Sequence, residues 1–82
     1  MNQVAQRMEE LRELVAEALE LEPEELTDTA DFVEDHDADS LRAIEILSRL
    51  EHHYGLEIPQ AEMDGARSLK TVYDMVARYA GW

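Results

Sequence analysis

A chain of 82 residues with 45% hydrophobic content can bury one modest core, so residues 1–82 are expected to form a single domain. Its formal net charge of −13 at pH 7 opposes contact with nucleic acid and with anionic membrane, and favours partners with basic surfaces. Cysteine is absent, which excludes disulfides, a thiolate nucleophile and a thiolate metal site; any thioester chemistry would need a sulfur from an added group.

Val4, Met8, Leu11, Val15 and Leu19 recur at three or four residues, with Leu14 and Ala18 widening the stripe, and this spacing predicts an amphipathic helix over about residues 3–20. The same stretch mixes Glu and Arg with its apolar positions, unlike a signal peptide. No segment is long enough to span a bilayer, so a soluble cytoplasmic protein is the expectation. Residues 21–39 read as a long loop, apart from one turn that Pro23 could open at Glu24 to Leu26. Residues 22–39 hold nine acidic residues and no Lys or Arg, which concentrates the negative field there. Phe32 and Val33 are the expected anchors of this acidic segment on the core.

A second helix is predicted from Ser40 to Tyr54, ending at Gly55, a residue suited to a left-handed cap. Ala43, Ile46, Leu47, Leu50 and Tyr54 fall in one sector of its helical wheel and form its core face. Leu41, Ile44 and Ser48 lie off that sector. Ile58 and Pro59 begin a connection with a short helical turn near Gln60 to Asp64. Ser68 can cap a last helix whose Leu69, Val72, Val76 and Tyr79 face inward, with Gly81 ending it. Strand alternation is missing throughout. The expected fold is all-α: a small four-helix bundle with a long loop between helices 1 and 2 and a short third helix.

The chemistry centres on Asp39-Ser40-Leu41. The hydroxyl of Ser40 lies in the first turn of its helix, where N–H groups without intrahelical partners and the positive end of the macrodipole favour an attached phosphate. Most Ser or Asp residues at such a place only cap the helix. Here, however, Leu41 and Ile44 leave two sizeable apolar side chains beside the serine with no place in the core, as a docking surface would.

With Ile44-Glu45, the stretch Leu50-Glu51-His52-His53-Tyr54-Gly55-Leu56-Glu57-Ile58-Pro59, the approach Asp31-Phe32-Val33-Glu34-Asp35 and the Leu69-Lys70-Thr71-Val72 opening of the last helix, this tripeptide resembles an acyl carrier protein over most of the chain. The resemblance implies that a separate phosphopantetheinyl transferase moves 4′-phosphopantetheine from coenzyme A onto Ser40. The arm's thiol would then carry acyl intermediates as thioesters, and the domain itself would be no enzyme. It further implies that Asp39 helps position the transferase and its metal, that Leu41 and Ile44 offer apolar contacts, and that Glu45 and Glu51 meet basic side chains. Asp35 and Asp37 belong to the same partner-facing acidic approach. Acyl-loading enzymes, a ketosynthase or other acyl-processing enzymes with basic surfaces are the implied partners, and a monomer is expected. Ile46, Leu47 and Leu50 would face the core and border any space an acyl chain enters.

Where the family usually has Leu-Gly, this chain has His36-Asp37, so an apolar plug and a flexible glycine are replaced; Asp tolerates unusual backbone angles better than most residues. Arg42 stands where fatty-acid carriers are often acidic, and Arg49 dilutes the charge further. Both differences tilt the reading toward a freestanding carrier of polyketide or other specialised metabolism. Peptidyl carriers commonly show Gly-Gly and often His before the serine, whereas Asp39 favours the acyl branch. Two rivals use no prosthetic group. Asp35-x-Asp37-x-Asp39 is similar to the opening of an EF-hand calcium loop, but Ser40 and Ile46 stand where that loop needs Gly and Glu, so no metal site is expected. The other rival is a small acidic helical adaptor.

Overall fold

The computed structural model describes residues 3–82 and is built of four α-helices joined by two 3-10 turns: α1 (Gln3–Leu19), a turn at Pro23–Glu25, α2 (Phe32–His36), α3 (Ser40–Tyr54), a turn at Gln60–Gly65 and α4 (Leu69–Ala80). Helix α1 packs against both α3 and α4. Its Leu11, Val15, Ala16 and Ala18 meet Ile46, Leu47 and Leu50 of α3 and Leu69, Val72, Met75 and Val76 of α4 in one buried cluster. The centres of the expected stripes thus form the core, with Ala16 and Met75 added to them, while Met8, Leu14, Leu19 and Ala43 pack against it only partly buried. Tyr54 and Tyr79 are only half-buried. Tyr54 meets the Trp82 ring edge-on at 5.3 Å, and Arg7 lies 4.6 Å from the centre of that ring. Val4 is 52% exposed, so the α1 stripe loses its core contact at the first turn.

The helix ends are specified locally. Ser68 Oγ accepts from the Thr71 N–H while Thr71 Oγ1 accepts from the Ser68 N–H, a reciprocal cap at the start of α4. Gly55 and Gly81 close α3 and α4 at φ 65° and 73°, backbone that costs a residue with a Cβ about 1 kcal/mol or more.

Two expectations for the acidic segment need correction. Residues 32–36 are helical rather than loop, because Asp31 accepts from the Val33 and Glu34 N–H groups at 2.9 and 3.0 Å and so caps a new turn. Within that turn Phe32 points into the core at 3% exposure, and the roughly 100° rotation per residue swings Val33 outward to 47%. Only Phe32 is an anchor, joined by Leu26, whose side chain is fully buried. Arg12 of α1 adds a polar strap that sequence periodicity did not reveal, donating to the Leu26 carbonyl and the Asp28 carboxylate. The Phe32 N–H donates to the Arg67 carbonyl at 2.7 Å and the Lys70 N–H to that of Asp28 at 2.9 Å, which ties the segment to the start of α4. None of the helices is long and apolar enough to cross a membrane among the described residues.

Candidate functional site

Ser40 is exposed at the first position of α3, with Asp39 as the N-cap. Asp39 Oδ1 accepts from the Arg42 N–H at 3.0 Å, and its carbonyl accepts from Ala43 at 3.0 Å. The N–H groups of Ser40 and Leu41 are left without an acceptor among the described residues, so the mouth of the helix keeps its attraction for an anion. What brings the chain to this point is the end of α2. Asp37 adopts the left-handed conformation at φ 54°, and its N–H donates back to the Phe32 and Val33 carbonyls. The turn into Ser40 is thus built on an aspartate in the left-handed conformation. The His36 side chain before it is half-buried.

Beside Ser40 opens a cavity of about 530 Å³, lined by Val33, Ala38, Asp39, Ser40, Ala43, Ile44, Gln60, Met63, Asp64 and Arg67. A smaller recess of about 50 Å³ continues inward past Phe32, Ile46, Met63 and Ala66. Of the three core residues expected to border a chain-sized space, Ile46 lines this recess, whereas Leu47 and Leu50 lie in the core and line neither cavity. Leu41 and Ile44 stand beside the serine at 75% and 44% exposure, free of the core as their wheel positions require.

The acidic side chains fall into two groups. Asp35 and Asp37 are exposed, and Asp35 Oδ2 accepts from the Asp31 N–H at 2.8 Å. Glu45 is instead held by Arg42 at 3.5 Å and Arg49 at 3.2 Å, and Glu51 Oε2 accepts from the Ile58 N–H at 3.1 Å. Arg42 also donates to the Ala18 carbonyl at 2.9 Å and pairs with Glu20, while Arg49 pairs with Glu17, so both arginines fasten α3 to α1. Backbone N–H groups of Glu34 and Val33, with help from Arg67, hold the Asp31 carboxyl below its ordinary range. In the Gln60–Gly65 turn the Tyr79 hydroxyl, donating at 2.6 Å, does the same for Glu62 together with Arg78. Of the three aspartates in the EF-hand comparison, Asp35 and Asp39 accept from backbone N–H groups and Asp37 ends α2; among the described residues no three His, Asp or Glu side chains converge on a common point.

A helical bundle that offers one hydroxyl at a helix mouth, with apolar side chains and an open cavity around it, has the form of a carrier domain. The family model described as phosphopantetheine attachment site matches residues 9–76. The chain is 48% identical over 73 residues to polyketide-8 synthase acyl carrier protein 2 of Streptomyces avermitilis, covering 89% of this chain and 84% of the relative. An acyl carrier protein of Thermosynechococcus vestitus is 41% identical over 93% of this chain and 89% of its own length. Among solved structures, a chain in that of the ishigamide ketosynthase/chain length factor superposes with a TM-score of 0.75 at 32% identity, covering 93% of this chain and 96% of the other. The chain belongs to the acyl carrier protein family, whose members carry phosphopantetheine.

Proposed function

We propose that Ser40 is the attachment point of the arm, and that this domain carries acyl intermediates for a polyketide or related specialised pathway. One observation carries the reading: within the matched region, Ser40 is an exposed serine at the mouth of α3, flanked by the exposed Leu41 and Ile44 and opening onto the cavity. The residues suit the group. The unpartnered N–H groups of Ser40 and Leu41 favour a phosphodiester, and the Val33, Ala43, Ile44 and Met63 walls suit the apolar parts of an arm or its cargo. When attached, the arm supplies the thiol that a cysteine-free chain lacks. Asp39 keeps the first turn of α3 formed, which fixes where the Ser40 hydroxyl is presented. A separate transferase loads the arm, and the domain acts as a monomer that meets its enzymes through their basic surfaces. Support for the polyketide branch comes from the two Streptomyces avermitilis polyketide-8 synthase carriers, 48% and 46% identical, against 41% and 40% for the acyl carrier proteins of Thermosynechococcus vestitus and Wolinella succinogenes.

Incubation with coenzyme A, magnesium and a broad-specificity phosphopantetheinyl transferase tests the assignment by intact mass. The expected result is one added phosphopantetheine, absent in Ser40→Ala. An unchanged mass for the parent protein, or a gain that survives in Ser40→Ala, overturns it.

A further inference from the structure

The walls of the inner recess belong to different connections. Phe32 and Val33 of α2 form one side, Met63, Ala66 and Arg67 of the exit from α3 form the other, and Ile46 of α3 completes it. At about 50 Å³ the recess has room for one or two small groups, since a water molecule takes about 30 Å³ in the liquid. A saturated chain of several carbons therefore enters only if the walls part. Of these walls α2 is the loosest, a helix of five residues with a single buried side chain, Phe32.

Residue 67 is what holds α2 against the exit. The Phe32 N–H donates to the Arg67 carbonyl at 2.7 Å, and the Arg67 guanidinium grips the Asp31 carboxylate at two points, Nε to Oδ2 and Nη2 to Oδ1, both at 3.2 Å. Asp31 also accepts from the Val33 and Glu34 N–H groups, so wherever its carboxylate is held the start of α2 is held too. Arg67 is the one cationic side chain lining the larger cavity, and it lines the recess as well. The Arg67 and Asp31 side chains are 50% and 30% exposed, and a pair so wet shifts a two-state balance by no more than about fivefold. A wall fixed by burial stays shut, whereas one held by such a pair opens and closes.

Resting on Ser40 as the attachment point, we propose that Arg67 determines which cargo this carrier shelters: paired with Asp31 it latches α2 against the exit, and a saturated chain reaches Ile46 only when that pair opens. Short cargo never meets the latch. Cargo that carries carbonyl oxygens is served in the outer cavity, where Gln60 and Arg67 bring N–H donors. A fully reduced chain finds no such partners there and stays wet while the latch is shut.

The test loads octanoyl and acetyl arms from the corresponding acyl-coenzyme A onto the parent, Arg67→Gln, Arg67→Lys and Asp31→Asn, with intact mass confirming each product. NMR then reads magnetisation transfer between the terminal methyl of the cargo and the Ile46 methyl groups. In Arg67→Gln the octanoyl transfer is expected to be about three- to fivefold stronger than in the parent, with amide exchange at Phe32 and Val33 faster by a similar factor. Asp31→Asn, which breaks the same pair from the other side and keeps a capping side chain, gives the same rise, and Arg67→Lys, which keeps the charge without the fork, falls between. With the acetyl arm no protein shows transfer to Ile46. The proposal is overturned if octanoyl transfer is as strong in the parent as in Arg67→Gln, or if it rises without faster exchange in α2. A parent protein that gains no arm overturns the Ser40 assignment, a separate failure seen by mass before any chain is located.

Discussion

The two connections that flank α3 solve the same problem by different means. The exit, between Gly55 and α4, lays Ile58, Met63 and Ala66 into the core and is held mainly by burial. The approach, between α1 and Ser40, is longer, carries nine acidic residues in 22–39 and commits the same number, Leu26, Phe32 and Ala38, to the interior; backbone hydrogen bonds, the Asp31 cap and the Arg12 strap hold the added length. An acidic surface and an apolar anchor compete for the same few residues. The approach therefore resolves them in alternation, Phe32 in and Val33 out, whereas the exit can give most of its apolar residues to packing.

The sharpest break of this comparison comes from its anchors. Phe32→Ala is expected to cost about 3–5 kcal/mol, a large share of the stability of a domain this size. Met63→Ala is expected to cost about 2 kcal/mol, since Ile58 and Ala66 still hold the exit. Urea unfolding measures both losses, and amide exchange locates them. In Phe32→Ala the protection of residues 31–38 should fall to near that of free chain at denaturant concentrations where α1 and α4 remain protected. Equal losses for the two variants, or exchange rising uniformly in both, would contradict the contrast.

The same contrast explains what was legible beforehand. The long helices, their inward faces, the Gly55 and Gly81 caps and the Ser68 start of α4 each rest on a repeating spacing or a local rule, and they appear at the expected residues. Exposure of Leu41 and Ile44 followed from the wheel of α3 because Ile46, Leu47 and Leu50 already fill the only face it can bury. The helix at 32–36 was hidden since five residues are too few for periodicity to show, and its cap, Asp31, is one acid among nine. Val33 was misplaced for the same reason: without the helix, two adjacent apolar residues read as one anchor. The Arg12 strap depends on where α1 lies against residues 26–28, which a single sequence does not encode locally, whereas the pairing of Glu45 with Arg42 and Arg49 follows the three- and four-residue spacing within α3.

Two smaller substitutions sharpen the turn into Ser40. Asp39→Ala removes the side-chain acceptor for the Arg42 N–H and is expected to lower stability by about 1 kcal/mol, with fraying confined to the first turn of α3. Asp37→Ala keeps a Cβ at φ 54° but loses the short polar side chain that tolerates this backbone and is expected to cost up to about 1 kcal/mol, whereas Asp37→Gly removes the Cβ and should be neutral or stabilising. Chemical denaturation of the three variants separates these effects. A destabilising Asp37→Gly would show that the aspartate side chain, rather than the backbone angle, sustains the turn.

The smallest expected effect is a pH dependence, and it links the two connections directly. Asp31 in the approach and Glu62 in the exit both have carboxyls lowered from their ordinary values of 3.8 and 4.5, the first by backbone N–H groups and Arg67, the second by the Tyr79 hydroxyl and Arg78. A carboxyl lowered in the folded state binds its proton more readily in the unfolded chain. Its contribution is therefore complete well above the ordinary value and is lost as pH falls through that value toward the folded one. Acting against this, protonating any of the many unpaired carboxylates relieves the repulsion of a −13 chain, which stabilises the compact state. The expected profile is thus a gentle rise in urea midpoint as pH falls from 7 toward about 5, followed by a decline below about 4. Asp31→Asn keeps a capping side chain but ends the charge pairing with Arg67, and Glu62→Gln does the same with Arg78. Each should flatten part of the acid decline while leaving the neutral limb nearly unchanged. Midpoints that fall in parallel for the parent and both variants would show that neither carboxylate governs the acid limb, and that the decline arises from the other acidic groups of the chain.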